Sequence, residues 1–235
     1  QGSSLRVSWQ FPASEDRAVF RFVARPDSFA IGDSIYPYTI DSVALGLTLV
    51  ARDSTVKGLT IYLYRIPATV DSTVSFTDID TAFTAANLVD SVVVPDSILT
   101  DDFQRMLTGA NLARVAIPAG DSGVLALGVQ IRANSGTGVR IGGSAGGLAA
   151  PTFVTYIQVD QTDTVVARTF TRAANFSRYV SQNPPVFDPD LLTVGGAPSA
   201  RTILRFPWPD LLKDSAQLIR ATLELIPTTP IPGLN

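Results

Sequence analysis

Three pairs of aspartates stand close together in the chain: Asp78 with Asp80, Asp101 with Asp102, and Asp188 with Asp190. Glycoside hydrolysis uses two carboxyl groups opposed across a sugar at about 5–10 Å, a geometry that adjacency in sequence does not supply. Turn and cap positions, where a solvated carboxylate accepts bonds from nearby backbone amides, account for such pairs without catalysis. The 235 residues include no histidine and no cysteine. Imidazole bases, thiolate nucleophiles, disulfides and the usual zinc ligand sets are thereby removed together. A Ser-His-Asp triad is excluded, and a Ser-Lys dyad has only Lys57 and Lys213 to draw on, both placed near turns. No residue is assigned a catalytic or metal-binding role, no cofactor is expected, and the chain reads as a non-enzyme.

Two other features invite chemistry. The stretch GTGVRIGGSAGG at 136–147 is rich enough in glycine to cradle phosphate, yet it holds neither GxGxxG nor GxxxxGK[ST], and no helical pattern follows it. It reads as a connection between strands. Sugar rings stack on exposed aromatic faces, and Trp9, Tyr36, Tyr38 and Trp208 are the candidates for contact with a ligand or partner; Trp208 lies in PWPD at 207–210, suited to a sheet edge. The competing role for all four is core packing or burial in an interface.

The elements that must position these residues are mostly strands. VALGLTLVA at 43–51, LTIYLYRI at 59–66, VLALGVQI at 124–131, FVTYIQV at 153–159, TVVARTF at 164–170 and ATLELI at 221–226 are short and rich in β-branched residues. In LTIYLYRI, Leu59, Ile61, Leu63 and Arg65 face one way and Thr60, Tyr62, Tyr64 and Ile66 the other, so both faces are covered. Asp-Ser pairs, beginning at Asp27, Asp33, Asp41, Asp53, Asp71, Asp90, Asp96, Asp121 and Asp214, punctuate the runs as turns. Thr100 followed by two aspartates predicts a short helix over TDDFQRMLTG closing near Gly109, and Pro209 a second helical turn at WPDLLKD. This is an all-β pattern of antiparallel, jelly-roll-like sandwiches in tandem with one or two short helices. The glycine- and alanine-rich run at 133–151 places a boundary near 150, giving a first sandwich over 1–150 and a second, incomplete one over 151–235.

RAVFRF at 17–22 returns as RTILRF at 201–206. If extended, the first copy sends Val19 and Arg21 to one face and Ala18, Phe20 and Phe22 to the other. Downstream, Ile40, Val43, Leu45 and Leu47 superpose without a gap on Leu218, Ala221, Leu223 and Leu225. RTILRF with LIRATLEL at 218–225 resembles the DNRLRE domains of bacterial extracellular proteins, in which an Arg-x-Leu-Leu-x-Phe strand precedes an apolar-x-x-Ala-x-Leu-x-Leu strand. RAVFRF with IDSVALGL at 40–47 departs from that pattern in carrying Val43 where the family favours Ala. The resemblance covers about 30 residues in each copy. It implies jelly-roll-like sandwiches on exported proteins, beside carbohydrate-active or adhesive modules.

Composition narrows the partners. Apolar residues make up 46% and charged residues 17%, as in folded material, and the net charge is −3 with no basic cluster. The counterion-release attraction that binds nucleic acid has no footprint here. No apolar run approaches the roughly 20 residues of a membrane-crossing helix, so the chain has no transmembrane segment of its own, although association with a membrane complex is compatible with it. The start, QGSSLRVSWQ, has neither an initiator Met nor an apolar signal region, as expected of a processed or trimmed chain. The Thr, Ser, Val and Asp bias, with one Met and very few Lys, resembles exported bacterial β-proteins, which places the chain outside the cytoplasm. The expected function is a structural, scaffold or adhesive subunit of an exported assembly, working through protein–protein contacts. The second copy of the motif lacks the strands that would finish a sandwich, so either a longer chain or a neighbouring subunit is expected to complete it. The alternative is a carbohydrate-binding module, with a polysaccharide as partner.

Overall fold

The computed structural model describes residues 3–11, 14–116 and 123–182, together with Leu204, Arg220 and residues 222–224. Its strands are β1 (Ser4–Trp9), β2 (Asp16–Phe22), β3 (Phe29–Ile31), β4 (Ser34–Tyr36), β5 (Tyr38–Arg52), β6 (Thr60–Ile66), β7 (Leu88–Val93), β8 (Asp101–Leu107), β9 (Leu125–Arg132), β10 (Thr137–Gly142), β11 (Thr152–Gln161) and β12 (Thr164–Ser181). Among the described residues there are also two short α-helices, α1 (Phe76–Asp80) and α2 (Gly109–Val115), and 3-10 turns at Ala85–Asn87 and Gly147–Ala149. The all-β, sandwich-like reading of the sequence holds.

Two antiparallel layers are joined through a shared strand, β12, and by a bridge between β1 and β2 at Ser8–Asp16. In the first layer β5 pairs with β8 along one side and, along the other, with β11 and then β10 placed end to end; β1 flanks β10, and the first half of β12 flanks β11. In the second layer the order is β12, β2, β9, β6, β7. Residues 164–173 of β12 therefore serve one layer and residues 174–181 the other, with an irregularity in register between Ala174 and Phe176 where the strand changes partner. Period-two alternation turns Val43, Leu45, Leu47 and Leu49 of β5 inward against Phe20 and Phe22 of β2, Leu125, Leu127 and Val129 of β9, and Ile61 and Leu63 of β6. Phe22 and Phe153 meet edge to face with ring centres 4.7 Å apart, worth about 0.5–1.5 kcal/mol beyond the area they bury.

The outer face of the second layer is covered too. Val19, Ala126 and Ile66, on the reverse side of β2, β9 and β6, pack under Val70, Val74, Phe76, Ile79 and Ala82 from the segment that carries α1. Phe83 of that segment lies directly on Gly128, where an added Cβ would fall 2.3 Å from the ring's Cζ. Among the described residues the opposite layer has no such cover on its β12 edge, where Val165, Ala167, Thr169, Thr171 and Ala173 are all exposed.

Three expectations from the sequence need correction. Residues 101–107 are strand β8, not helix: they satisfy the free side of β5 from Val43 to Leu49, and Leu107 is buried while Phe103 packs against the core. The Asp102 carboxylate accepts from Thr48 Oγ1 at 2.6 Å instead of capping a helix, and Gly109, expected to close that helix, opens α2 with φ 52°. The glycine-rich run contains β10, held between β1 and β5. The boundary near 150 also fails, because β11 and β12 pair with β5 and β2; the chain divides instead into Gln1–Asn183 and Pro184–Asn235.

The first hexapeptide is β2 and splits its faces as its alternation predicts. Ala18, Phe20 and Phe22 enter the central core, and Val19 enters the outer one. Most of the second copy, and the helical turn expected at WPDLLKD, lie outside the described residues. At the two counterparts that are described the surroundings differ: Leu204 is 37% exposed against 1% for Phe20, and Leu223 57% against 1% for Leu45. Residues 222–224 are not in a strand.

Gly128→Ala is expected to destabilise the protein by about 1–3 kcal/mol, since the Phe83 ring must leave its place on β9. Urea unfolding measures this, and Gly128→Ala combined with Phe83→Ala should cost less than the sum of the two single changes.

Candidate functional site

The candidate site forms where β1 turns into β2. Trp9 ends β1 opposite Thr137, and the next residue, Gln10, takes left-handed backbone at φ 50°. Gly136 permits this close turn, because a Cβ there would stand 2.4 Å from the Gln10 carbonyl oxygen. Phe11 then donates its N–H to the Ser14 carbonyl at 3.1 Å, and the chain enters β2. The result is a hollow of about 240 Å³ lined by Trp9, Gln10, Ser14, Glu15 and Gln182.

Glu15 organises the wall of this hollow. Its Oε1 accepts from Arg17 Nε at 2.5 Å and Gln130 Nε2 at 2.6 Å, and its Oε2 accepts from Arg132 Nη1 at 3.1 Å. Its carbonyl receives the N–H of Gln182 at 2.8 Å, which ties the end of β12 to the entry of β2. Burial alone would raise the Glu15 pKa. The bonds from Gln130 and Arg17, with the charges of Arg17 and Arg132, outweigh that and hold the carboxyl below its ordinary value.

Arg17 is buried, and its guanidinium is sandwiched between the Phe76 and Phe83 rings at 4.2 and 4.1 Å from their centres. Its Nη1 reaches Asp80 at 2.9 Å. Arg132 extends over the Trp9 ring, 5.6 Å from its centre. One layer deeper, the buried Asp16 accepts from Ser8 Oγ at 2.8 Å and lies 3.1 Å from Arg6 Nε, which faces it without hydrogen-bond alignment. The charges cancel locally: Glu15 and Asp80 against Arg17 and Arg132, and Asp16 against Arg6.

The aromatic candidates from the sequence are not brought together. Tyr38 begins β5 while Trp9 sits beyond its far end, through Thr137 next to the Val139–Arg52 pair. The fourteen steps from Tyr38 to Arg52 alone span about 45 Å along the strand. Tyr38 donates its hydroxyl to the Pro26 carbonyl, accepts from Arg25 Nη1 at 3.1 Å and meets the Phe170 ring edge-on at 6.0 Å, so it is held in packing. Tyr36 pairs with Phe29 in the small β3–β4 hairpin. Trp208 lies outside the described residues.

The aspartate pairs serve local structure where they are described. Asp78 accepts from the Ser75 N–H and hydroxyl, whereas Asp80 binds Arg17. Asp101 accepts the Asp102 N–H. Asp53 and Asp71 each accept twice from the threonine two residues on, which lowers both carboxyl pKa values. Asp188 and Asp190 lie outside the described residues, among which no cluster of three or more potential metal ligands occurs.

Gln130, Arg132 and Gln182 carry no local signal, since each meets Glu15 across more than a hundred residues of chain; only the Glu15–Arg17 contact is local. No protein-family model matches this chain, and neither the curated proteins nor the solved structures contain a match to it.

Glu15→Gln is expected to lower stability at neutral pH by on the order of 2–3 kcal/mol, because Arg17 stays buried with its better-shielded partner gone. With a folded pKa below the ordinary value of 4.5, the wild-type contribution is complete above about pH 4.5 and is lost as pH falls through the folded pKa. Urea titrations at stepped pH should show the gap between wild type and Glu15→Gln narrowing on acidification. A gap constant down to pH 3 would remove Glu15 from this role.

Proposed function

We propose that the chain is a non-catalytic scaffold or adhesive subunit of an exported bacterial assembly, and that it engages a protein partner by adding that partner's strand to the open edge of β12. The observation that carries this reading is the state of residues 165–173. The N–H of Ala174 points to β11, where it bonds the Pro151 carbonyl at 3.0 Å, and the ladder from there to Thr164 runs without a break in register. By alternation, the backbone groups of Val165, Ala167, Thr169, Thr171 and Ala173 point away from β11. Among the described residues no strand pairs with them.

Sheet edges are ordinarily blunted by charge, bulges or cover. The opposite flank of the sandwich follows that rule. Asp101, Asp102 and Arg105 lie on the edge strand β8, Arg105 reaches across to Asp90 of β7 at 2.7 Å, and α2 donates Arg114 to the Leu88 carbonyl. The β12 edge has no acidic or lysine side chain and no proline, Arg168 is the one exposed charge along residues 164–173, and Val165 is 63% exposed. Such an edge suits strand addition, in which backbone bonds give affinity and the flanking side chains give selectivity. An address outside the cytoplasm is supported by composition and by the resemblance to DNRLRE domains; no helix among the described residues is long and apolar enough to cross a membrane.

Thr169→Pro removes one outward donor and leaves the bonds to β11 in place. It should weaken the complex isolated from the native source about fivefold, one backbone bond's worth, without lowering the unfolding temperature by more than a few degrees. Hydrogen exchange gives the direct test. The amides of Val165, Ala167, Thr169 and Thr171 should exchange quickly in the isolated chain and slowly in the assembly, and equal exchange in both would refute edge pairing.

A further inference from the structure

The hollow beside Trp9 has the make-up of a binding site, and this inference stands independently of the β12 edge. Its charged groups are satisfied among themselves, whereas several neutral ones are not engaged. Among the described residues, no hydrogen bond engages the indole N–H of the half-buried Trp9, and the side-chain amides of Gln10 and Gln182 stand solvent-exposed at the rim without a protein partner. These groups flank a half-buried indole in a concavity of about 240 Å³; the Arg132 guanidinium lies over one side of that ring and is not part of the lining, so the ring meets the hollow with its remaining surface. Gln10 holds its place from left-handed backbone, a conformation that a residue with a Cβ adopts at a cost. Strain of this kind gathers where a side chain is needed in a particular spot.

The chemistry of the lining selects its ligand. Anions and cations gain little, because Glu15 and Asp80 are matched by Arg17 and Arg132. Purely apolar ligands would strand the amides. A ring with an apolar face and a rim of neutral hydroxyl groups fits both demands, the face on Trp9 and the hydroxyls on groups that can donate and accept. The geometry points to the Trp9 hollow as a binding site for a neutral saccharide ring, stacked on Trp9 and hydrogen-bonded by Gln10 and Gln182.

The test uses the full chain with Trp208→Phe, which leaves Trp9 as the only indole. Titration with glucose, galactose, mannose and N-acetylglucosamine, followed by indole fluorescence and the indole N–H resonance, should give a saturable response to at least one. Gln182→Ala, at an exposed position, should weaken that response about fivefold, as for the loss of one hydrogen bond. Gln10→Gly should weaken it while leaving the unfolding temperature unchanged or higher, because glycine relieves the left-handed backbone; a merely structural Gln10 would show the second effect without the first. Thr169→Pro should leave the response untouched, which separates this site from the edge. No saturable response to any of the four sugars in a folded sample, a response that survives Trp9→Ala, or an equal response to galacturonate would each overturn the assignment.

Discussion

Because β12 gives its first ten residues to β11 and its last eight to the second layer, the two sheets are locked to one another through a continuous backbone as well as through side-chain packing. Everything else in the unit is arranged around that shared strand. β12 turns between the inward faces of β5 and β2, β1 links the same two layers by pairing with β10 and β2, and the end of β12 is fastened to the entry of β2 by the Gln182–Glu15 backbone bond. Arg172, at the approach to the turn, is buried and donates to the carbonyls of Val23 and Gly123, with its guanidinium 5.7 Å from the centre of the Phe153 ring. Burial lowers its pKa, as expected for a cation bonded only to neutral oxygens among these contacts.

The second organising device is a set of charges placed inside. Arg17 takes a buried position near the start of β2, on the outer face it shares with Val19, that alternation alone would give to an apolar residue. It is accommodated because two phenyl rings cover its faces and two carboxylates take its donors. Breaking such a network is costly even where an apolar replacement of the whole would not be. The network also joins the α1 cover to the sheet beneath it and, through Glu15 and Arg132, extends to the wall of the Trp9 hollow. Stability and the candidate site therefore draw on the same residues.

Strands whose two faces are both buried by sheet neighbours could be read in advance. LTIYLYRI and RAVFRF alternate cleanly, and their core side chains lie on the faces their positions predict, Leu59, Ile61, Leu63, Ala18, Phe20 and Phe22 in the central core and Ile66 and Val19 in the outer one. TDDFQRMLTG misleads because Thr and Asp favour helix caps and strand entries alike, and the choice is made by β5, whose free side lies more than fifty residues earlier. The glycine-rich run looks like a linker because local composition does not reveal that β1 and β5 hold β10 from either side. Trp9 stands out from sequence as an aromatic, but the hollow it lines is assembled by Glu15, Gln130, Arg132 and Gln182, whose meeting depends on the closed topology and leaves no trace in spacing.

The path of β12 also gives this unit a direction of mechanical strength. When a pull at Gln182 is directed along the axis of β12, the seven residue pairs it makes with β2, from Ala174–Phe22 to Ser181–Asp16, take the load side by side, as in a lap joint, instead of peeling one after another. Rupture in that geometry requires many bonds to slip at once, and resistance to force is set by the rate of that event. Under a load in that direction, β12 and β2 resist as a unit.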